Sequence, residues 1–258
     1  MKPPERGFHW SIWGAEAVGT GLLVLAILAA VAFVLGPDSP VEDWALSARL
    51  LLIGVLVAIA FVAIATSPLG KLSGAHLNPA VTVAFWVTRH VSVHDLVGYV
   101  AAQLAGGLGA ALLFKWLWGD TAESVGGAVT HPSVGAGEAA LLEVLMTAAL
   151  VVVLFGFLSS QRVIRWTPVA VGVLIAVLVW QVAERTGTSL NPARSGGPAV
   201  AFSDLEDLWL YFAAPLAGAL AVALVWRSRA VRADPLTAKL FHDKRYPCTL
   251  AVDRSVHE

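Results

Sequence analysis

Six stretches of this chain are continuous apolar runs: residues 10–35, 45–66, 96–118, 139–158, 166–183 and 208–226. A helix rises about 1.5 Å per residue, so about 20 apolar residues cross a hydrocarbon core of about 30 Å. Each run therefore predicts one membrane-spanning helix, the fifth being the shortest. Strands of a membrane barrel would alternate apolar and polar residues over about 10 positions, and none of these runs does. The first run is too long for the apolar part of a signal peptide and contains Glu16, so it reads as a span. Two shorter segments each follow an Asn-Pro pair: 80–87, which is apolar, and 193–202, which Gly196, Gly197 and Pro198 interrupt. About 10 helical residues reach only halfway through the core, so these segments predict helices that enter the membrane and stop.

Composition sharpens this reading. Of 258 residues, 57% are apolar and 14% charged, the net charge is −1 and the mean hydropathy is +0.74. An ordinary soluble domain carries about 25% charged residues, so this chain lacks the polar surface to cover itself in water. Its natural partner is membrane lipid. Disorder, collagen-like repeats and nucleic-acid binding by bulk charge are excluded, and the single cysteine, Cys248, can form no internal disulfide. No phosphate loop, metal-ligand spacing or nucleophilic set stands out, so neither an enzyme nor a cofactor is expected.

Lys and Arg in short loops orient membrane proteins. One set of loops and ends holds Lys2, Arg6, Lys71, Arg89, Arg162, Arg165, Arg227, Arg229 and Arg232, and the other holds Arg49, Lys115 and Arg185. Nine against three predicts that both termini lie in the cytoplasm, in a multi-pass protein of the plasma membrane. The expected organisation is a cytoplasmic N-terminus (1–9), a membrane domain (10–226) and a cytoplasmic tail (227–258). That tail, polar and of mixed charge from Ala233, is expected to be loosely ordered. His90, His94 and His131 read as loop residues.

The membrane domain repeats. Leu77-Asn78-Pro79-Ala80 returns as Leu190-Asn191-Pro192-Ala193, Glu16-x-x-x-Thr20 as Glu143-x-x-x-Thr147, and Gln103-x-x-Gly106 faces Pro215-x-x-Gly218. The halves, about 10–118 and 138–226, hold three spans each. An odd number of spans inverts the second half relative to the first, a plan that places a site near the midplane. A lone Asn-Pro-Ala is merely a helix start, with Asn as cap and Pro at the first turn. Two copies inside an inverted repeat predict half-helices that meet N-terminus to N-terminus, each offering unpaired N–H groups and a partial positive charge.

These residues resemble the aquaporin, or major intrinsic protein, family, as a bacterial-type member. The resemblance rests on Ser73-Gly74-Ala75-His76-Leu77-Asn78-Pro79-Ala80-Val81-Thr82, on Gly187-Thr188-Ser189-Leu190-Asn191-Pro192-Ala193-Arg194-Ser195, on Ala15-Glu16-x-x-Gly19-Thr20 and on Gln103-x-x-Gly106. It implies an all-α bundle of six tilted transmembrane helices and two re-entrant half-helices, one pore per chain and a homotetramer. The implied function is passive passage of water and small neutral solutes, with ions and protons excluded. A glycerol facilitator of the same family is the alternative, although such channels usually carry Asp where Ser195 stands here. A proton-coupled transporter working through Glu16 and Glu143 is a third reading.

On these terms each motif residue acquires a role. Side-chain carbonyls of Asn78 and Asn191 cap the half-helices and leave their NH₂ groups as donors in the pore. Arg194 forms the narrow filter; its other reading is an ion pair with Glu184, Asp204 or Glu206. Counting from the two asparagines without gaps, the remaining filter walls fall on Ala58, Val179 and Thr188. A one-residue gap would bring in Phe61 or Trp180. Small walls at Ala58 and Val179 imply a wide filter. Intramembrane acids are costly unless partnered, so Glu16 and Glu143 are expected to hold the re-entrant loops, with His76 as a hydrogen-bonding strut.

Overall fold

The computed structural model describes residues 8–228, 234–243 and 245–246. Its regular elements are helical: α1 (Trp10–Leu35), α2 (Leu46–Thr66), α3 (Pro68–Ser73), α4 (Pro79–Val87), α5 (Val93–Trp118), α6 (Asp120–Ser124), α7 (Ala136–Leu158), α8 (Thr167–Thr186), α9 (Pro192–Ala201) and α10 (Leu208–Arg227), with two short 3-10 turns. Six are long and apolar enough to cross a membrane. Large apolar side chains such as Ile59, Val97, Trp116 and Trp209 lie on the outside of the bundle. In water this would be unfavourable; facing lipid it is what the solvent requires.

Helix ends follow local chemistry. The third span begins at Val93, earlier than the apolar run suggests, because the Ser92 hydroxyl caps the Asp95 N–H at 3.0 Å. Asp95 is itself buried and accepts from Trp13 Nε1 at 3.2 Å, with the His9 ring at 2.7 Å. His94 thus belongs to α5 and not to a loop. The fifth span runs to Thr186, past the predicted end, and stops where Gly187 turns left-handed at φ 73°. Helices α3 and α6 fall outside the predicted elements. The first is set off from α2 by extended backbone at Ser67, whose side chain caps it.

The two halves pack as copies of one plan. Helix α1 lies on α5 and α7 on α10, α2 joins α8 across the halves, and each half-helix crosses over, α9 onto α5 and α4 onto α10. Close approach is allowed at equivalent points. A Cβ added at Gly106 would fall on the carbonyl oxygen of Ala17, and one at Gly218 on that of Val144. Ala17 follows Glu16 as Val144 follows Glu143. Small residues let backbones meet where there is no hydrophobic drive between helices in lipid.

The C-terminal segment departs from expectation. Residues 235–240 are packed into the end of the bundle where α1 begins and α10 ends, with Thr237, Lys239 and Leu240 buried. Backbone hydrogen bonds hold it there: the Leu236 N–H donates to Leu158 O at 2.9 Å and the Leu240 N–H to Gly74 O at 3.0 Å. The polar composition of the tail conceals a short run, Pro235-Leu236-Thr237-Ala238-Lys239-Leu240, that finds partners in the loops of that mouth. Cys248 and the chain beyond it lie outside the described residues.

Candidate functional site: a central pore

Each half carries a loop that runs against the ordinary preferences of the backbone. Gly74, Ala75 and Leu77 are left-handed in the first, at φ 101°, 56° and 52°. Gly187, Thr188 and Leu190 are left-handed in the second, at 73°, 47° and 53°. A non-glycine residue in this region costs on the order of 1–3 kcal/mol and persists only where its surroundings dictate it. The two glutamates do so. Glu16 accepts from the His76 N–H at 2.9 Å, the Leu77 N–H at 2.8 Å and Gln103 Nε2 at 2.8 Å. Glu143 accepts from the Ser189 N–H at 2.9 Å, the Leu190 N–H at 2.8 Å and the Thr186 hydroxyl at 2.9 Å. Both are fully buried and neither lines the cavity.

A second symmetric tie comes from tyrosines that sequence reasoning missed as a pair. The Tyr99 hydroxyl donates to Ser73 O and the Tyr211 hydroxyl to Thr186 O, at the start of each loop. Their equivalent places in α5 and α10 are the signal that could have found them. One turn after each glutamate, the buried hydroxyls of Thr20 and Thr147 have no hydrogen-bond partner among the described residues.

The loops deliver Asn78 and Asn191 to the first turns of α4 and α9. The Asn78 Oδ1 accepts from the Ala80 N–H at 2.8 Å, and the Asn191 Oδ1 from the Ala193 N–H at 2.9 Å. Pro79 and Pro192 open the two helices. The amide nitrogens cross over: Asn78 Nδ2 donates to Leu190 O at 2.9 Å and Asn191 Nδ2 to Leu77 O at 2.8 Å. Each NH₂ therefore spends one hydrogen on the opposite loop. That clamp was not foreseen; it joins the half-helices tip to tip and leaves one N–H on each asparagine.

Both asparagines line one cavity of about 290 Å³ that runs past His76, Thr188 and Arg194. Its other walls are mostly aliphatic, among them Leu23, Ile53, Val57, Val81, Val171 and Val179. Arg194 is buried, and its Nη1 donates to Ala128 O at 3.1 Å. No carboxylate lies within ion-pair distance of it among the described residues, Glu184, Asp204 and Glu206 included. Sequence reasoning missed Ala128, whose turn follows Gly126-Gly127, a glycine pair that marks a tight bend.

The second-span wall is corrected. Ala58 is not among the cavity's lining residues; it packs against α8, where a Cβ added at Gly172 would sit 3.6 Å from its own. Gly54 lies likewise against Ala176. This antiparallel register brings Val179 level with residue 51, so the lining residue of α2 beside it is Leu50. Counting back from Asn78 fails because the break at Ser67 and helix α3 interrupt the register of α2. Phe61 lines the cavity nearer its other end, and Trp180 points away and donates to the Ser47 hydroxyl at 2.8 Å. At the chain-terminal end His76 lines the cavity, its Nδ1 3.2 Å from the Thr82 hydroxyl and its ring stacked on Phe85.

Paired half-helices, a polar midpoint and a buried cation in a mostly aliphatic tube describe a pore for small neutral molecules. Known proteins agree. The pattern of major intrinsic proteins matches residues 8–226. This chain belongs to that family. It is 37% identical to aquaporin-6 of Rattus norvegicus, over 82% of this chain and 74% of the relative. It is 33% identical to a probable aquaporin, AqpM, of Archaeoglobus fulgidus, over 82% of this chain and 94% of the relative. Among solved structures, an X-ray structure of the aquaglyceroporin from Plasmodium falciparum superposes with a TM-score of 0.71, covering 86% of this chain and 97% of that one at 22% identity. That likeness shows the shared fold of six spans and two half-helices. Membership of the family makes the chain a passive membrane channel of the aquaporin kind.

Proposed function

We propose that water crosses the membrane through the cavity walled by Asn78, Asn191 and Arg194, and that ions and protons do not. The observation that carries this reading is the pair of asparagines: both line one cavity, and each keeps one amide N–H beyond the clamp. A water oxygen accepting from both has its lone pairs engaged, so it can only donate to the waters on either side and cannot accept from them, which breaks a proton relay. The N-terminal ends of α4 and α9 add partial positive charge at the same point and repel cations. Pro79, Ala80, Pro192 and Ala193 shape those ends, and Glu16 and Glu143 hold the loops. The chain works as a channel and not as an enzyme.

Arg194, Thr188, Val179 and Leu50 form the filter. Two of the four are purely aliphatic, and none is aromatic. This favours passage of small neutral solutes such as glycerol beside water, since an aliphatic wall accepts the carbon side of a polyol while Arg194 serves its hydroxyls. Nine Lys and Arg residues against three support placing both termini in the cytoplasm of a cell whose plasma membrane holds the protein, and the family resemblance supports a homotetramer. Stopped-flow light scattering on proteoliposomes tests the reading. Water permeability well above that of protein-free vesicles is expected, with measurable glycerol flux and no proton leak. Flux that follows an imposed proton gradient would replace the channel with a transporter.

A further inference from the structure

The filter end of the pore is formed by residues of the membrane domain itself. The chain-terminal end is occupied by the C-terminal segment. Leu240 lines the same cavity as Asn78 and Arg194, although it lies outside the six spans and both half-helices. It is 1% exposed. Its backbone N–H is bound to Gly74 O, within the first re-entrant loop.

The segment crosses the mouth and is tied to three of its sides. On one side the His76 ring meets Ala238 O at 2.8 Å through Nε2, and Lys239 Nζ donates to Lys71 O at 2.9 Å. On a second, the His90 ring meets Pro235 O at 2.8 Å just beyond α4. On a third, Leu236 is bound to the last residue of α7, Leu158. At the outer edge Lys71 Nζ lies 3.2 Å from Asp243 and over the ring of Phe241. Arg245 hydrogen-bonds the Asp243 carboxyl and holds it well below the usual carboxylate range, so it is charged at any physiological pH. Gly74 makes the room: a Cβ there would come within 3.1 Å of Ala238 O.

This is more than a tail lying on a surface. A buried lysine is costly unless its charge finds acceptors, and here Lys239 reaches the carbonyls of Lys71 and Tyr246. Backbone groups of the segment meet both re-entrant-loop and helix-end partners. An apolar side chain at a narrow aqueous passage also raises the cost of wetting it, as hydrophobic constrictions do in other pores.

We propose that residues 235–243 are a built-in plug of the chain-terminal mouth, with Leu240 as the stopper and the Lys71–Asp243 pair as the latch. Docking lowers flux without abolishing it, so the parent still conducts above protein-free vesicles, and flux rises several-fold when the segment leaves. The proposal rests on the reading of the cavity as the path for water, and two readouts separate them. The first is water permeability of the full chain in proteoliposomes. Leu240→Ala shortens the stopper, and Asp243→Lys sets like charges at the latch; each is expected to raise permeability several-fold. Adding Lys71→Glu to Asp243→Lys restores opposite charges and is expected to bring permeability back down. If both single variants match a parent that already conducts well above empty vesicles, the plug is overturned and the channel stands. The second readout is amide hydrogen exchange, which does not depend on flux. The N–H groups of Leu236 and Leu240 are expected to exchange slowly in the parent and faster in Asp243→Lys. Exchange at free-chain rates in the parent overturns the docked segment whatever the flux. Slow exchange with no water flux in any variant overturns the water path, and with it the plug.

Discussion

The two re-entrant loops share a backbone but not a chemistry. Of the ten positions 73–82, five are identical to those 113 residues on: Gly74 with Gly187, Leu77 with Leu190, Asn78 with Asn191, Pro79 with Pro192 and Ala80 with Ala193. Both loops hang from a buried glutamate, a tyrosine hydroxyl and a run of left-handed residues. Yet His76, paired with Thr82, stands where the second loop has Ser189, paired with Ser195 at 2.6 Å. Val81 stands where the second has Arg194, and both line the cavity. The repeat thus sets position, while single residues set what each mouth does. One mouth carries a fixed cation, Arg194, held by the Ala128 carbonyl. The other carries an imidazole whose partner is the C-terminal segment.

The comparison breaks first at the glutamates. Glu16→Ala and Glu143→Ala each strand two loop N–H groups and one side-chain donor. A buried donor left unpaired costs about 1–3 kcal/mol, so each change is expected to remove much of the stability of a typical domain. Thermal unfolding in detergent, followed by size-exclusion profile, checks this. Nearly equal losses are expected from the two; a large difference would mean that the loops are not equivalent supports.

Arg194→Val makes the second loop resemble the first at that position. Water permeability is expected to persist, glycerol flux to rise several-fold and a proton leak to appear, read with a pH-sensitive dye inside vesicles. An unchanged glycerol-to-water ratio would remove Arg194 from the filter.

Leu50→Phe tests the register of α2. It is expected to lower glycerol flux more than water flux, with stability kept. Ala58→Phe is expected to act oppositely. It forces a ring into the contact with Gly172, and overpacking of this kind costs about 1–3 kcal/mol, so the melting temperature falls while any folded protein keeps its selectivity. The reverse pattern would return the wall to Ala58.

The smallest effect expected is that of Thr188→Cys made together with Cys248→Ser. Flux alone should change little, since the side chains are similar in size. Mercury should then block the pore, reversibly with a thiol reductant, because an exposed thiol in the passage is the group it attacks. The parent chain, whose only thiol is Cys248, should be insensitive.

The spans, the half-helices, the inverted halves and the kinds of residue that meet at the centre are all legible in the amino-acid order alone. Each of these is local. A run of about 20 apolar residues has one low-energy fate in lipid, an Asn-Pro pair starts a helix, and a doubled motif needs no packing to be seen. Which residues face the pore is settled by packing. The spans are apolar all round, so no polar stripe marks the inner face, and Leu50 and Leu51 look alike until one is 7% exposed and the other 38%. Register across Ser67 and α3, the Ala128 carbonyl on Arg194 and the docking of Leu240 each depend on contacts between residues distant in the chain. Such contacts are set by backbone approach and hydrogen-bond geometry, and hydropathy carries no record of either.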